Sequence, residues 1–197
     1  MSSLPTNTEK YRSEGRFRTS RRNPDCRNPH LWHSRTASST EIEVSEFVGA
    51  LARCLQPELV VETGTNIGQT SYFIGEALLA NGHGKLVTIE PNKRVWRYAR
   101  RRCKRLPVDC VLGEALKWEP DGQTIDMMFF DSEPDSRPLE FQHFRPYMNP
   151  FTVLVWHDAA ITHRIYRRHL KRLIRSKSIQ PLFLPTPRGL CLARLAR

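Results

Sequence analysis

Five short apolar runs, ELVVE, KLVTIE, VDCVL, IDMMFF and FTVLVW, recur between residues 58 and 156, with helical stretches between most of them. Of these, ELVVE and KLVTIE suit strands buried on both faces rather than ones with a wet side, and the other three read as the third, fourth and fifth strands. Buried strands joined by helices demand right-handed crossovers and a parallel sheet covered by helices on both faces. The expected fold class is therefore α/β, a Rossmann-like, mostly parallel sheet.

The flanking segments extend this frame. Ile42, Val44, Phe47, Val48, Leu51 and Leu55 follow helical spacing; Ser39 or Thr40 is placed to cap the start, and Pro57 ends the helix. A second helix is expected over residues 71–80, stopped by Gly82 and Gly84, and PNKRVWRYARRRCKR reads as a strongly basic third. Helical sequence around HFRPYMNP, broken by Pro146 and Pro150, follows the fourth strand, and HRIYRRHLKRLIR follows the fifth. At the C-terminal end, IQPLFLP and GLCLARL flank a TPRG turn, which predicts an antiparallel hairpin.

At 197 residues the chain has room for one domain, expected over residues 41–197, preceded by a tail. Residues 1–40 hold eight Lys and Arg against three acids and three prolines, and read as a basic arm, partly flexible or lid-forming, with Trp32 docking on the domain. No apolar run approaches about 18 residues and the start lacks a secretory pattern, so a cytoplasmic location without a membrane partner is expected. The five cysteines are odd in number and form no CxxC pair, which favours reduced thiols over zinc or disulfides. A formal net charge of +11 points to an anionic partner, from nucleic acid to a charged small molecule.

Ligands of open α/β sheets sit at the C-terminal strand tips, near the reversal of strand order. The residues there are Glu62 with the glycine loop, Glu90, Gly113 with Glu114, Asp131, and His157 with Asp158. Glu62 decides what the loop ETGTNIGQTS can hold. A carboxylate at the mouth of a glycine turn repels a pyrophosphate but suits an ammonium or sulfonium group. Glu90, 28 positions on, stands where an acid can accept hydrogen bonds from both ribose hydroxyls. A cationic head beside a ribose describes S-adenosylmethionine.

In VVETGTNIGQTS, LVTIEPN, VLGEA, FFDSEP and VLVWHDA, taken in order, the chain resembles the class I S-adenosylmethionine-dependent methyltransferases, and among them the small O-methyltransferases of the catechol O-methyltransferase type. The resemblance covers residues 41–197. It implies a seven-stranded sheet with an antiparallel last strand. It further implies that Glu62, Thr63, Gly64, Thr65, Asn66, Gly68, Gln69, Thr70 and Ser71 hold the methionine part, Glu90 and Pro91 the ribose, and Gly113, Glu114 and Ala115 the adenine, with Asp131 beside the methyl group.

The implied chemistry is an in-line displacement in which the protein aligns an acceptor oxygen and removes its proton. His157 is the expected general base, with Asp158 or Asp131 orienting it. Metal-using relatives carry a carboxylate after the fourth strand and an Asp-Asn pair after the fifth. Here Asp131 matches, but His157, Asp158 and Ala159 leave the amide out, so Asp131, His157 and Asp158 are the set left for Mg²⁺ or another divalent ion.

The expected acceptor is a hydroxyl of a small molecule, a sugar or secondary metabolite. Its pocket is expected to form from the N-terminal tail, SEPDSRP and the segment after His157. An RNA methyltransferase using the basic surface of Arg94 to Arg105 with Arg164, Arg167, Arg168, Lys171, Arg172 and Arg175 is the first alternative. A DNA enzyme is disfavoured by DSEP where a flipped base needs a proline and an aromatic ring. A non-catalytic S-adenosylmethionine-binding interaction protein is the other alternative. His143, His163 and His169 are expected at the surface, and Trp156 in the core or pocket wall.

Overall fold

The computed structural model describes residues 23–36, 38–160 and 164–196. Residues 1–22 of the expected basic arm, and His163 with the side chain of Arg164, lie outside the described residues. Seven strands form one sheet: β1 Leu59–Thr63, β2 Lys85–Glu90, β3 Val108–Leu112, β4 Met127–Phe130, β5 Val153–His157, β6 Ile179–Leu184 and β7 Leu190–Leu195, in the order β3-β2-β1-β4-β5-β7-β6. The first five are parallel, and β7 runs antiparallel to both β5 and β6. The order reverses between β1 and β4, which is where the crevice of such a sheet opens. Among the described residues no helix is long and apolar enough to cross a membrane.

Both-face burial explains why the central strands carry no polar alternation. Leu59 and Val61 of β1, Val87 and Ile89 of β2, and Met128 and Phe130 of β4 point into one core. Val60, Leu86, Met127 and Phe129 point into the other. Helices α1 Ile42–Leu55 and α2 Gln69–Asn81 close the second core with Val44, Val48, Ile74 and Leu78. Helices α4 Arg137–Phe144 and α5 Arg164–Arg175 close the first with Phe141, Phe144, Leu170 and Leu173. The ring of Phe130 stacks on Trp156, centroids 5.0 Å apart and planes within 7°, and Phe141 tilts against both. Trp32 packs on the edge of the α1 and α2 core. Helix α3, Lys93–Arg102, buries only Ala99 and turns its arginines to solvent.

Three local expectations are corrected. The N-cap of α1 is Glu41, with no side-chain cap, because the Thr40 hydroxyl donates to Asp131 instead. Helix α4 starts at Arg137, ahead of HFRPYMNP: Pro138 fits a first turn, where its missing N–H costs nothing, and Pro146 falls in a short 3-10 turn. His169 is buried rather than at the surface, edge-on to Phe141 at 5.5 Å. The basic residues around it in α5 hide an inward-facing imidazole. His143 is half-buried, its Nε2 2.8 Å from the carbonyl of Trp118. All five cysteines carry free thiols.

Candidate active site

The turn leaving β1 is built by backbone that few side chains tolerate. Gly64, Asn66 and Gly68 all have positive φ, at 85°, 49° and 70°. A β-carbon on Gly64 would lie 2.4 Å from the carbonyl oxygen of Asp131, so the loop presses on the tip of β4. A β-carbon on Gly68 would lie 2.8 Å from the Cα of Ala99 in α3. The N–H groups of Gly64 and Thr65 reach the carbonyl of Ile89 at 3.1 and 3.4 Å, pinning the loop to β2.

Glu90 fastens the next corner. Its carboxylate accepts from the backbone N–H of Asn66 and of Asn92, both at 2.8 Å, and so joins the glycine loop to the start of α3. Glu62 is 1% exposed and accepts from the hydroxyls of Thr88, at 2.6 Å, and Ser71. Burial pushes its carboxyl up to about 8; the two hydroxyls pull it down, and the nearby Asp131 and Cys110 add to the rise. At neutral pH Glu62 therefore holds its proton until a cation compensates the charge.

These corners border a cavity of about 870 Å³. Of the residues expected to bind cofactor, Glu62, Gly64, Thr65, Asn66, Gln69, Thr70, Glu90, Pro91, Glu114, Ala115 and Asp131 line it. Thr63, Gly68, Ser71 and Gly113 stand behind the wall. Thr63 donates to Glu140 at 2.8 Å, Ser71 to Glu62, and the N–H of Gly113 to the Glu90 carbonyl at 3.1 Å. Gln69 is anchored by its amide N–H groups to the carbonyl of Thr40 and the hydroxyl of Ser45, at 2.8 and 2.9 Å.

The other end of the cavity is a buried charge network. The ring of His157, fully buried, lies with Nδ1 2.7 Å from Asp131 Oδ1 and Nε2 2.6 Å from Glu41 Oε2. Two carboxylates facing two ring nitrogens require two protons among the three groups, which the imidazolium supplies directly. Burial alone disfavours that cation, but Asp158, Asp131 and Glu41 outweigh it and raise His157 to about 10. Asp158 is held well below the ordinary carboxylate range: burial opposes ionisation, and His157, Arg137 and Arg188 overcome it.

Arg137 and Arg188 complete the network. Arg137, 1% exposed, places Nη2 2.9 Å from Asp158 Oδ2 and 3.5 Å from Asp131 Oδ1. Its Nε and Nη2 donate to the Ser132 carbonyl at 2.9 and 2.6 Å, and its Nη1 to the carbonyl of His157. Arg188 donates from Nε to Asp158 Oδ1 at 2.6 Å, from Nη1 to the Ser39 carbonyl at 3.1 Å and from its backbone to Glu41 at 3.1 Å. Asp131, Asp158 and both arginines line the cavity, while His157 does not. The three residues expected for a divalent ion do converge, with one ligand atom from each within 4.8 Å of the others.

Glu41, Arg137 and Arg188 escape the sequence reading. Glu41 meets His157 from 116 positions away, and nothing in its surroundings distinguishes it from a helix-start acid. The arginines sit in turn-like SEPDSRP and TPRG and are lost among 31 Lys and Arg.

Residues 61–159, the span holding these strand tips up to β5, match a family model described as methyltransferase domain. The chain belongs to the methyltransferase domain family. Solved structures share the methyltransferase fold at low identity. The O-methyltransferase TomG from Streptomyces achromogenes, in complex with SAM and involved in tomaymycin synthesis, is 19% identical, with 96% of this chain and 95% of that chain covered and a TM-score of 0.70. An O-methyltransferase from Bacillus cereus in complex with SAH is 18% identical over 82% and 84% of the two chains, at 0.68. The SAH-bound methyltransferase PaMTH1 from Podospora anserina is 14% identical over both full chains, at 0.69. No curated protein matches the chain in sequence.

Proposed function

We propose that the protein methylates a hydroxyl oxygen of a polar small molecule, of the sugar or secondary-metabolite kind, using S-adenosylmethionine. The observation that carries this is the pair Glu62 and Glu90, two acids on adjacent strand tips in one cavity. A buried carboxyl poised to ionise suits a cationic methionine head, and a carboxylate beside the loop suits the ribose diol. Cofactor binding by the structural relatives with SAM or SAH supports the reading. Glu62 with the Gly64 to Ser71 turn then takes the methionine part, Glu90 and Pro91 the ribose, and Gly113, Glu114 and Ala115 the adenine side.

When bound, S-adenosylmethionine supplies the methyl group, its S–CH₃ bond breaking as the O–CH₃ bond to the acceptor forms and the sulfonium becoming a neutral thioether. Asp131 lies at the cavity wall beside that end, and a lone pair of its carboxylate not used by Thr40, Arg137 or His157 accepts the acceptor's hydroxyl hydrogen and takes that proton as the O–CH₃ bond forms. His157 is a positioning residue rather than the base, because both ring nitrogens already face carboxylates and its imidazolium has no site for a further proton. Thr40 and Arg137 hold Asp131 from its other sides.

The cavity wall is polar at this end, with Ser38, Ser39, Thr40, Ser132, Glu133 and Ser136, and no aromatic side chain lines it among the described residues. That composition favours a hydroxyl-rich acceptor over a flat aromatic one. Residues 38–40 form part of the wall, which supports a lid role for the N-terminal arm over a catalytic domain of 41–197. The basic helix α3 begins at the rim beside Asn92 and Val95, an observation that favours RNA as the second reading. Free thiols throughout support the cytoplasm as the compartment.

Calorimetry with S-adenosylmethionine and S-adenosylhomocysteine, followed by methyl transfer to a panel of sugars and phenols, tests the assignment. Binding of NAD in preference to either ligand would end it, and a salt-sensitive gel shift with turnover only on RNA would move it to the second reading.

A further inference from the structure

We propose that the guanidinium of Arg137 is the resident cation of this site, standing between the two strand-tip carboxylates where metal-using relatives hold a divalent ion. Methyl transfer by this protein accordingly needs no metal. The inference rests on the methyltransferase reading and concerns how its acceptor end is neutralised.

Every oxygen of the two carboxylates already has a protein donor. Asp131 Oδ1 faces His157 Nδ1 at 2.7 Å and Arg137 Nη2 at 3.5 Å, and Asp131 Oδ2 accepts from Thr40. Asp158 Oδ1 accepts from Arg188 at 2.6 Å, and Asp158 Oδ2 from Arg137 at 2.9 Å. A magnesium ion needs about six oxygens in octahedral array at roughly 2.1 Å. To collect even two here it would have to break these contacts and sit against two guanidinium charges.

Nor is Arg137 free to swing aside. It is buried, and its remaining donors are committed to the carbonyls of Ser132 and His157. The imidazole of the candidate triad is committed in the same way, between Asp131 and Glu41. The residue after Asp158, where an amide ligand would be needed, is Ala159. Geometry and charge therefore disagree with an ion at a cluster whose residue types alone would suit one.

The substitution changes what acceptor the site can take. A metal gathers two neighbouring acceptor oxygens into a chelate and acidifies them, whereas a guanidinium tied to carboxylates and carbonyls offers no open coordination position. A single hydroxyl is enough, and vicinal diols gain no advantage.

The decisive experiment is a titration of the full-length protein with Mn²⁺, read by electron paramagnetic resonance, alongside turnover with chelator. The expected results are a free-ion signal undiminished by protein and a rate changed by less than about twofold on chelation, since nothing is removed. Stoichiometric Mn²⁺ uptake abolished by Asp158→Ala, or chelator-sensitive turnover restored by Mg²⁺, would overturn the proposal. Arg137→Ala leaves two carboxylates short of a cation and is expected to acquire Mn²⁺ binding; a folded variant that still ignores the ion counts against the proposal. Should that variant fail to fold, the wild-type titration decides alone. Calorimetry with S-adenosylmethionine runs in parallel: absence of cofactor binding would sink the methyltransferase reading, independently of the Mn²⁺ result.

Discussion

Gly64 packs against the backbone of Asp131 so closely that the tip of β4 leaves no room for a side chain in the glycine loop after β1. A β-carbon at Gly64 would meet the Asp131 carbonyl oxygen at 2.4 Å, and φ there is 85°. Gly64→Ala is expected to lose about 2 kcal/mol of stability or more, from left-handed strain plus the clash. The same change should push Asp131 away from Thr40 and His157. Thermal unfolding and cofactor titration check this; an alanine variant matching wild type in both would show that the loop is not seated as described.

Glu90 joins the Asn66 and Asn92 N–H groups and is the residue proposed to hold the ribose. Glu90→Ala is expected to weaken S-adenosylmethionine binding by about 10- to 100-fold, the range for hydrogen bonds to a charged group. Glu90→Gln, which keeps one acceptor, should fall between. Calorimetry measures both, with circular dichroism to confirm that the fold persists.

Glu62, raised to about 8 by burial, carries a proton at neutral pH. A cationic ligand favours the ionised carboxylate, so binding at pH 7 should release about one proton to the buffer. Calorimetry in buffers of different ionisation enthalpy reads this directly, and Glu62→Gln should release none. In the protein without ligand the sign is opposite in interest. The folded state holds this proton and the unfolded chain, near 4.5, does not, so the group costs stability as pH rises from about 4.5 to about 8.

His169 tests a different pH range. Burial, then the charge of Arg172, lowers it from the ordinary 6.5 to about 4, and among the described residues its Nε2 has no hydrogen-bond partner. A base lowered on folding stabilises fully above 6.5 and progressively less as pH falls towards 4. Between pH 6.5 and pH 5 the loss should reach up to about 2 kcal/mol. Chemical denaturation at the two pH values measures it, and His169→Phe should flatten the acid limb. An unchanged limb in that variant would assign the acid sensitivity elsewhere.

How much of this was readable from the chain follows from which forces leave local marks. Strands buried on both faces must be apolar throughout, so ELVVE, KLVTIE and MMFF announce themselves, and a carboxylate at the end of such a run has few structural reasons to be there. The terminal hairpin is equally visible, because its turn chemistry is local. The charge network leaves no local mark. Glu41, Arg137 and Arg188 are ordinary surface types in ordinary turn and helix-start sequence, and only the strand order brings them to His157 and Asp158. His169 is hidden for the converse reason: it is an inward residue on a helix in which six of the other eleven residues are arginine or lysine.

Thr40 and Glu41 precede the first helix, yet Thr40 ends on Asp131 in the cavity wall and Glu41 on His157 buried behind it. Shortening the chain from the front to residue 42 would leave every strand in place while stripping Asp131 and His157 of a partner each. A trimmed version with a native far-ultraviolet spectrum would thus be a sound specimen for studying the sheet, and the wrong one for timing a reaction.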